Sequence, residues 1–525
     1  MLAKFATPGV YINEVDAFPN AVVAVATAVP VFVGYTPKAE YAGKSLLNTP
    51  QKISSMQEFA AYFLLDDPLP PADPARQYSP GYFLVTQTET AASGPSLEIG
   101  DQPYTLLPDP ATIYYLYNSV RMFYQNGGGD AYIVSVGAYG PPSRKPMADP
   151  ARHIVNPNVL LDDLQAGLSA LAAEQGPTML VMPEATLLSV EDNASLMQTA
   201  LEQAGRMQTM VCLFDVIGGA SPDPLLYPKD IETFRQAIGS TGLDYGVAYY
   251  PFIGTTVMQQ ADVDFRNLFG GDVSQLLPLL SPPSAPDRAA GDIIAAILKP
   301  PATPIGDRQL QAALIDASAP YSHIMAAVLG SANLMPPSGA IAGVYATNDA
   351  RNGVWSAPAN TAIAGAVSLP LHLTDSAQMA LNVDAVSGKS VNAIRAVNGR
   401  GIVVWGARTL DGNSQDWRYV PVRRTMIFLE QSVKLAARAF VFEPNDQNTW
   451  TSVNSMIASF LTGVWQQGGL QGASPADAFQ VTVGLGTTMT ADDVLNGVMR
   501  VSVQVAVLRP AEFLVFTFEQ QQARS

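Results

Sequence analysis

The chain has 525 residues, far more than one hydrophobic core supports, so roughly two to four domains are expected. Charged residues make up 14% of it, against about 25% in ordinary soluble domains, and hydrophobic residues reach 48% without a membrane-length run, so no membrane insertion is expected. Either a large apolar monomer or a chain whose surface is covered by other chains fits that composition, and a net charge of −16, from 29 Lys and Arg against 45 Asp and Glu, argues against a nucleic-acid partner.

The first residues hold no secretory signal, because Pro8, Gly9 and Glu14 interrupt any apolar stretch, and assembly in the cytoplasm is expected. Ala21 to Gly34, rich in valine and containing Pro30, reads as a buried strand. Residues 66–110 and 276–304 are heavy in Pro, Ala, Ser and Asp and read as loops or small peripheral insertions. From Tyr114 to Pro251, apolar runs at 131–136, 178–182, 209–215 and 245–250 alternate with helix-like segments at 113–125, 159–174, 193–206 and 229–240. That alternation predicts a largely parallel sheet covered on both faces. The single cysteine, Cys212, lies in one of these runs and reads as a buried, inert thiol.

Further on, Met426, Leu429, Val433, Ala436 and Phe440 recur at three- and four-residue steps, which predicts a helix over 425–440 with one buried stripe. A second helix is expected over about 449–467. Two half-buried strands then close the chain, Val501–Val507 and Leu514–Phe518. No repeat of fixed period is present, which argues against a solenoid or propeller.

Enzymatic motifs fail on spacing. Gly43-Lys44-Ser45 and Gly388-Lys389-Ser390 look like phosphate-loop endings, but Lys38 and Val383 stand where the first glycine is required. Gly127-Gly128-Gly129 follows a helix and precedes a strand, the reverse of the order that cradles a phosphate, and reads as a helix terminator. His153, His323 and His372 are isolated, no Gly-x-Ser-x-Gly occurs, and Asp262/Asp264 and Asp492/Asp493 read as solvated loop or helix-start residues. No catalytic, cofactor-binding or metal-binding residue is therefore assigned, and no cofactor is expected. A ligand-binding α/β enzyme domain and a capsid or surface-array protein are the rival classes.

Several longer stretches point elsewhere: Thr7–Ile12, Phe18–Val23, Val25–Pro30, Tyr124–Val134, Met335–Tyr345, Arg351–Asn360, Gly399–Leu410 and Pro510–Phe516. In this order they resemble the contractile tail sheath protein family. Phe18 through Thr36, followed by Gly43-Lys44-Ser45-Leu46, look closer to sheath subunits of extracellular contractile injection systems, of the antifeeding-prophage and virulence-cassette type, than to phage tails.

The resemblance implies an α+β and α/β multidomain fold. Its discontinuous inner domain comes from both chain ends, 19–45 and 365–525, with an N-terminal arm at 1–18 and a C-terminal arm at 508–525. An outer α/β domain spans 111–364 with a loop-rich insertion at about 272–305, and 46–110 is peripheral. It further implies a structural subunit, not an enzyme, that polymerises as stacked rings around an inner tube and contracts without nucleotide. Val10, Tyr11, Ile12 and Val15, and Phe513, Leu514, Val515, Phe516 and Phe518, match the family's strand-exchanging arms. Expected partners are further copies of the chain, the tube, baseplate and terminal cap proteins, and paralogous sheath subunits, in a particle or virion tail released from the cell. Arg423, Arg424, Lys434 and Arg438 are expected to face an acidic tube, with pairing of Lys434 and Arg438 to the negative helix end as the competing reading.

Overall fold

A computed structural model describes residues 21–65, 78–87, 96–149, 153–299, 306–384 and 386–512. The predicted arm residues Val10, Tyr11, Ile12, Val15, Phe513, Leu514, Val515, Phe516 and Phe518 lie outside the described residues. The chain divides into two compact units, one of residues 26–427 and 509–525, the other of residues 1–25 and 428–508.

The larger unit is built on a nine-stranded sheet. Its strands are β1 (Pro30–Tyr35), β2 (Gln51–Ile53), β3 (Ala131–Gly137), β4 (Met179–Val181), β5 (Val211–Asp215), β6 (Gly246–Tyr250), β7 (Thr361–Ala362), β8 (Asn392–Val397) and β9 (Gly401–Trp405), in the order β7-β9-β8-β6-β5-β4-β1-β3-β2. The stretch from β8 to β3 is parallel, and antiparallel β2, β9 and β7 finish its two sides. β1, β4, β5 and β6 are buried at every position, as strands covered on both faces must be, and Cys212 is buried within β5.

The covering helices are α1 (Leu116–Gln125), α2 (Leu161–Ser169), α3 (Val190–Met207), α4 (Tyr227–Ala237) and α5 (Ser338–Asn352). Alternation along β1 separates the two layers: the Phe32 ring meets Phe123 of α1 at 5.7 Å, whereas a side chain at Gly167 of α2 would strike Val33. α5 packs against α1 through Gly339 and Gly343, where a Cβ would stand 2.6 Å from the Ser119 carbonyl oxygen and 2.5 Å from that of Phe123. This explains the sequence Gly339-Ala340-Ile341-Ala342-Gly343: two helix backbones touch there. The glycine triplet does terminate α1, with Gly127 at φ +87° and Asn126 tying the helix end to Ala364.

Three readings change. Tyr82–Thr86, Ser96–Ile99 and Gln102–Pro108 form an antiparallel sheet inside the stretch read as loops or a small peripheral insertion, its short alternation hidden by flanking proline and serine. Within 276–304, the described residues form helices Leu276–Leu280 and Arg288–Leu298, the second capped by Asp287 and burying only the narrow stripe Ala290 and Ile294. The division into units also falls elsewhere than at 45/46 and 364/365. β1 pairs between β3 and β4, and Asn392 of β8 pairs with Tyr249 of β6, so residues 26–45 and 365–427 join the larger unit.

The helix read over 425–440 starts earlier, as α6 (Val420–Ala437), and its last turns belong to the smaller unit. There α7 (Gln447–Gln466) begins at Asp446, whose carboxylate accepts from the Asn448 and Thr449 amides at 3.0 Å, and buries Trp450, Val453, Ile457, Leu461 and Val464. β10 (Phe479–Val483) pairs with β11 (Val501–Val505) as a two-stranded antiparallel sheet. β11 is not half-buried as expected: Val501 through Gln504 are all exposed, on both faces.

Candidate functional site at the roots of the chain ends

The segment that leads from the N-terminal side into β1 has no regular structure, and side chains fasten it instead. The Thr27 carbonyl accepts from Thr178 Oγ1 at 2.7 Å and from Arg424 Nη2 at 2.9 Å, while the Thr27 hydroxyl donates to Asp349 Oδ2 at 2.6 Å. Arg424 itself donates to both Asp349 oxygens, at 2.9 and 2.6 Å. Its guanidinium lies 4.6 Å from the Tyr345 ring, whose hydroxyl is 2.6 Å from that of Tyr249. α5 supplies Tyr345 and Asp349 one turn apart, and α6 supplies Arg424. Burial alone would lower the Arg424 pKa, but the Asp349 carboxylate outweighs it and the group is held above its ordinary value. In the smaller unit, the Val25 amide donates to Ser432 Oγ at 3.1 Å.

The other end of the chain is fastened in the same manner. Arg408 grips Glu512 with Nε at 3.0 and 3.1 Å from its two oxygens and Nη2 at 2.5 Å from Oε2. Asn382 Nδ2 and Tyr419 Oη each donate to the same carboxylate at 3.3 Å. Arg408 is placed by Asn392, which accepts from the Arg408 amide and donates to its carbonyl, both at 2.8 Å. Gly406 leaves room for that side chain, since a Cβ there would lie 2.6 Å from Asn392 Oδ1. The Gly406-Ala407-Arg408-Thr409 stretch thus serves to hold the root of the C-terminal segment.

Two of the four cations expected to face a tube do not. Arg423 and Arg424 are 6% and 3% exposed. Arg423 is paired with Asp244, with its guanidinium 3.6 Å from the Trp417 ring and 4.4 Å from that of Tyr245. Adjacent arginines read as a basic face when their partners, 75 and 179 residues away in sequence, are invisible. Lys434 and Arg438 are exposed.

Sequence reasoning missed two buried carboxylates at the carboxyl ends of parallel strands, where α/β folds place ligands. Glu184 accepts from the Tyr115 and Leu116 amides at 3.2 and 2.7 Å, and burial raises its pKa to about 8. Asp215 accepts from the Ser338 amide and hydroxyl at 2.8 and 2.5 Å, and burial raises it to about 7. Each caps the start of a helix, α1 and α5, and so positions structure. An acidic residue closing an apolar run was the available signal. Gly388-Lys389-Ser390 likewise has a structural role: the Lys389 ammonium donates to the Arg235 carbonyl. Among the described residues, no group of three or more His, Cys, Asp or Glu could hold a metal.

Residues 295–410 match the central domain of phage tail sheath proteins, and residues 413–521 match the phage tail sheath C-terminal domain. The tail sheath protein of Vibrio phage KVP40 is 29% identical over 139 residues, 26% of this chain and 20% of that protein, so the match spans a fifth of the relative's length. Among solved structures, the helical sheath of the anti-feeding prophage in its contracted state is 25% identical with a TM-score of 0.55, covering 98% of this chain and 99% of that one. The sheath complex of the PVC extracellular contractile injection system, also contracted, is 24% identical with a TM-score of 0.57, covering 98% of both chains. The fold is therefore that of contractile-sheath subunits. Two adjoining stretches of this chain, 295–410 and 413–521, thus match phage tail sheath domains.

Proposed function

We propose that this chain polymerises as stacked rings around an inner tube and contracts to drive that tube through a target envelope. One observation carries the reading: both chain ends are fastened at their roots, Thr27 and Glu512, while the smaller unit holds a two-stranded sheet whose strands pair only with each other among the described residues. Residues 1–18 and 508–525 are the arms, and Val10–Val15 and Phe513–Phe518 add as strands to a neighbouring copy. β10 and β11 are their acceptors, because an unpaired sheet edge binds an extended segment through a row of backbone hydrogen bonds. The bonds between copies then survive sliding while the anchored roots carry the load.

The clustering of residues 1–25 with 428–508 supports a domain made from both ends of the chain. Lys434 and Arg438 remain the cations that face the tube. Likeness along 98% of the chain to the anti-feeding prophage sheath supports an injection particle over a phage tail. Assembly in the cytoplasm with tube, baseplate and cap proteins, followed by release of the particle, completes the reading. Negative-stain microscopy of the native assembly tests it: striated cylinders are expected, and monodisperse particles without helical order would overturn it.

A further inference from the structure

The turn after α6 presents Phe442 to solvent at 101% relative exposure, with Val441 at 59% beside it in sequence. Phe442 also stands at φ +77°, in the left-handed region that a side chain of its kind rarely occupies. The turn is held in place all the same. The Glu443 amide donates to the Phe440 carbonyl at 3.2 Å, Trp450 Nε1 donates to Asn445 Oδ1 at 2.7 Å, and Asn445 Nδ2 donates to the Val498 carbonyl at 3.2 Å. A strained backbone fixed by its surroundings, displaying a bare phenylalanine, is the arrangement of a preorganised contact.

Charge narrows the partner. Residues 428–508 contain three cations, Lys434, Arg438 and Arg500, of which Arg500 pairs with Asp493 at 3.1 Å. Lys434 and Arg438 are exposed, lie one helical turn apart, and precede Phe442 by eight and four residues. Glu443 follows it, also exposed. An apolar knob with cations on its approach fits an apolar pocket that carries carboxylates on one rim.

We propose that Phe442 is the apolar anchor of the contact with the inner tube, inserted into such a pocket on the tube's outer surface. This rests on the reading of Lys434 and Arg438 as tube-facing. The test is co-sedimentation of the purified full chain with inner tubes of the same particle, alongside microscopy of the chain alone. Phe442→Ser is expected to weaken tube binding at least about tenfold while tube-free cylinders form as in the wild type. Phe442→Gly, which adopts the positive φ freely, is expected to lose binding equally with an unchanged or higher Tm. Full tube binding by both variants would overturn the proposal. So would loss of tube-free cylinders in both, which would place the patch between copies of this chain. If instead the wild type binds no tube, and charge reversal at Lys434 changes nothing, the tube-facing reading itself fails.

Discussion

Thr27 and Arg424 stand 397 residues apart in sequence and meet at 2.9 Å, carbonyl to guanidinium, against the Asp349 carboxylate that Arg424 also binds. The contact joins the root of the N-terminal segment to α5 and α6 at once. Because the side chains of Arg424 and Asp349 are 3% and 5% exposed, removing either one leaves a charge buried without compensation.

Arg424→Met is therefore expected to destabilise the fold by about 3–5 kcal/mol, and Asp349→Leu similarly. The double variant should recover much of that loss, because two apolar groups need no partner. Urea denaturation of the two single variants and the double measures this; strictly additive losses would show that the pair is not coupled.

The parallel core was legible in the sequence because burial on both faces writes itself as short apolar runs, and Val211–Asp215 and Gly246–Tyr250 were read within two residues of their observed ends. The Met335–Tyr345 stretch was noticed only as a resemblance, and its cause, helix backbones in contact at Gly339 and Gly343, depends on a partner helix over 200 residues earlier. Arg423 and Arg424 were misread for the same reason: nothing local reports that Asp244 and Asp349 will close on them. Of the two alternatives for 66–110, loops or a small peripheral insertion, the loop gives way where the alternation is short, as at Tyr82 and Leu84, and set among prolines and serines.

The close approach of α5 to α1 makes Gly343→Ala more damaging than its size implies. The new methyl would stand 2.5 Å from the Phe123 carbonyl oxygen, a backbone atom that cannot rotate away. A loss of about 1–3 kcal/mol is expected, read as a fall in Tm, although alanine normally favours a helix. A stabilised variant would mean that the two helices separate without cost.

Glu184 gives stability a pH dependence whose sign follows from its raised folded pKa of about 8, against 4.5 when free. Between those values the folded state holds the proton more tightly than the unfolded one, so the contribution is complete below about pH 4.5 and lost as pH rises through 8. Asp215, raised to about 7, acts in the same direction over a lower window. Together they predict a stability that declines from about pH 5 to 8, by an amount of order 3–5 kcal/mol for Glu184, read as a falling Tm. Glu184→Gln keeps the acceptor for the Tyr115 and Leu116 amides and should flatten that slope. An equally steep decline in the variant would assign the effect to other groups.

Charge reversal at Lys434 and Arg438 is expected to block assembly around the tube and leave the monomer folded, since both side chains are exposed. Wild-type tube binding should weaken as salt rises from 50 to about 300 mM, as contacts between exposed charges do. Unchanged assembly by the Lys434→Glu, Arg438→Glu variant would favour the helix-end role, in which case helix stability and not tube binding should fall.

Arg408 and Glu512 separate anchoring of the C-terminal segment from folding of the subunit. The Glu512 side chain is 22% exposed, so Glu512→Gln should cost the fold no more than about 1–3 kcal/mol. Truncation after Glu512 removes the strand proposed to exchange, 513–518, and keeps the anchor, whereas Glu512→Gln keeps that strand and loosens its root. Both variants are expected to remain folded monomers by circular dichroism. The truncated chain should form no long cylinders. The Glu512→Gln chain should form cylinders that shorten or break more readily, and protease should reach residues 509–525 sooner in its monomer. Normal, stable cylinders from the truncated chain would refute exchange of the C-terminal strand between copies; normal cylinders from Glu512→Gln alone would show that the arm bears load without its arginine anchor.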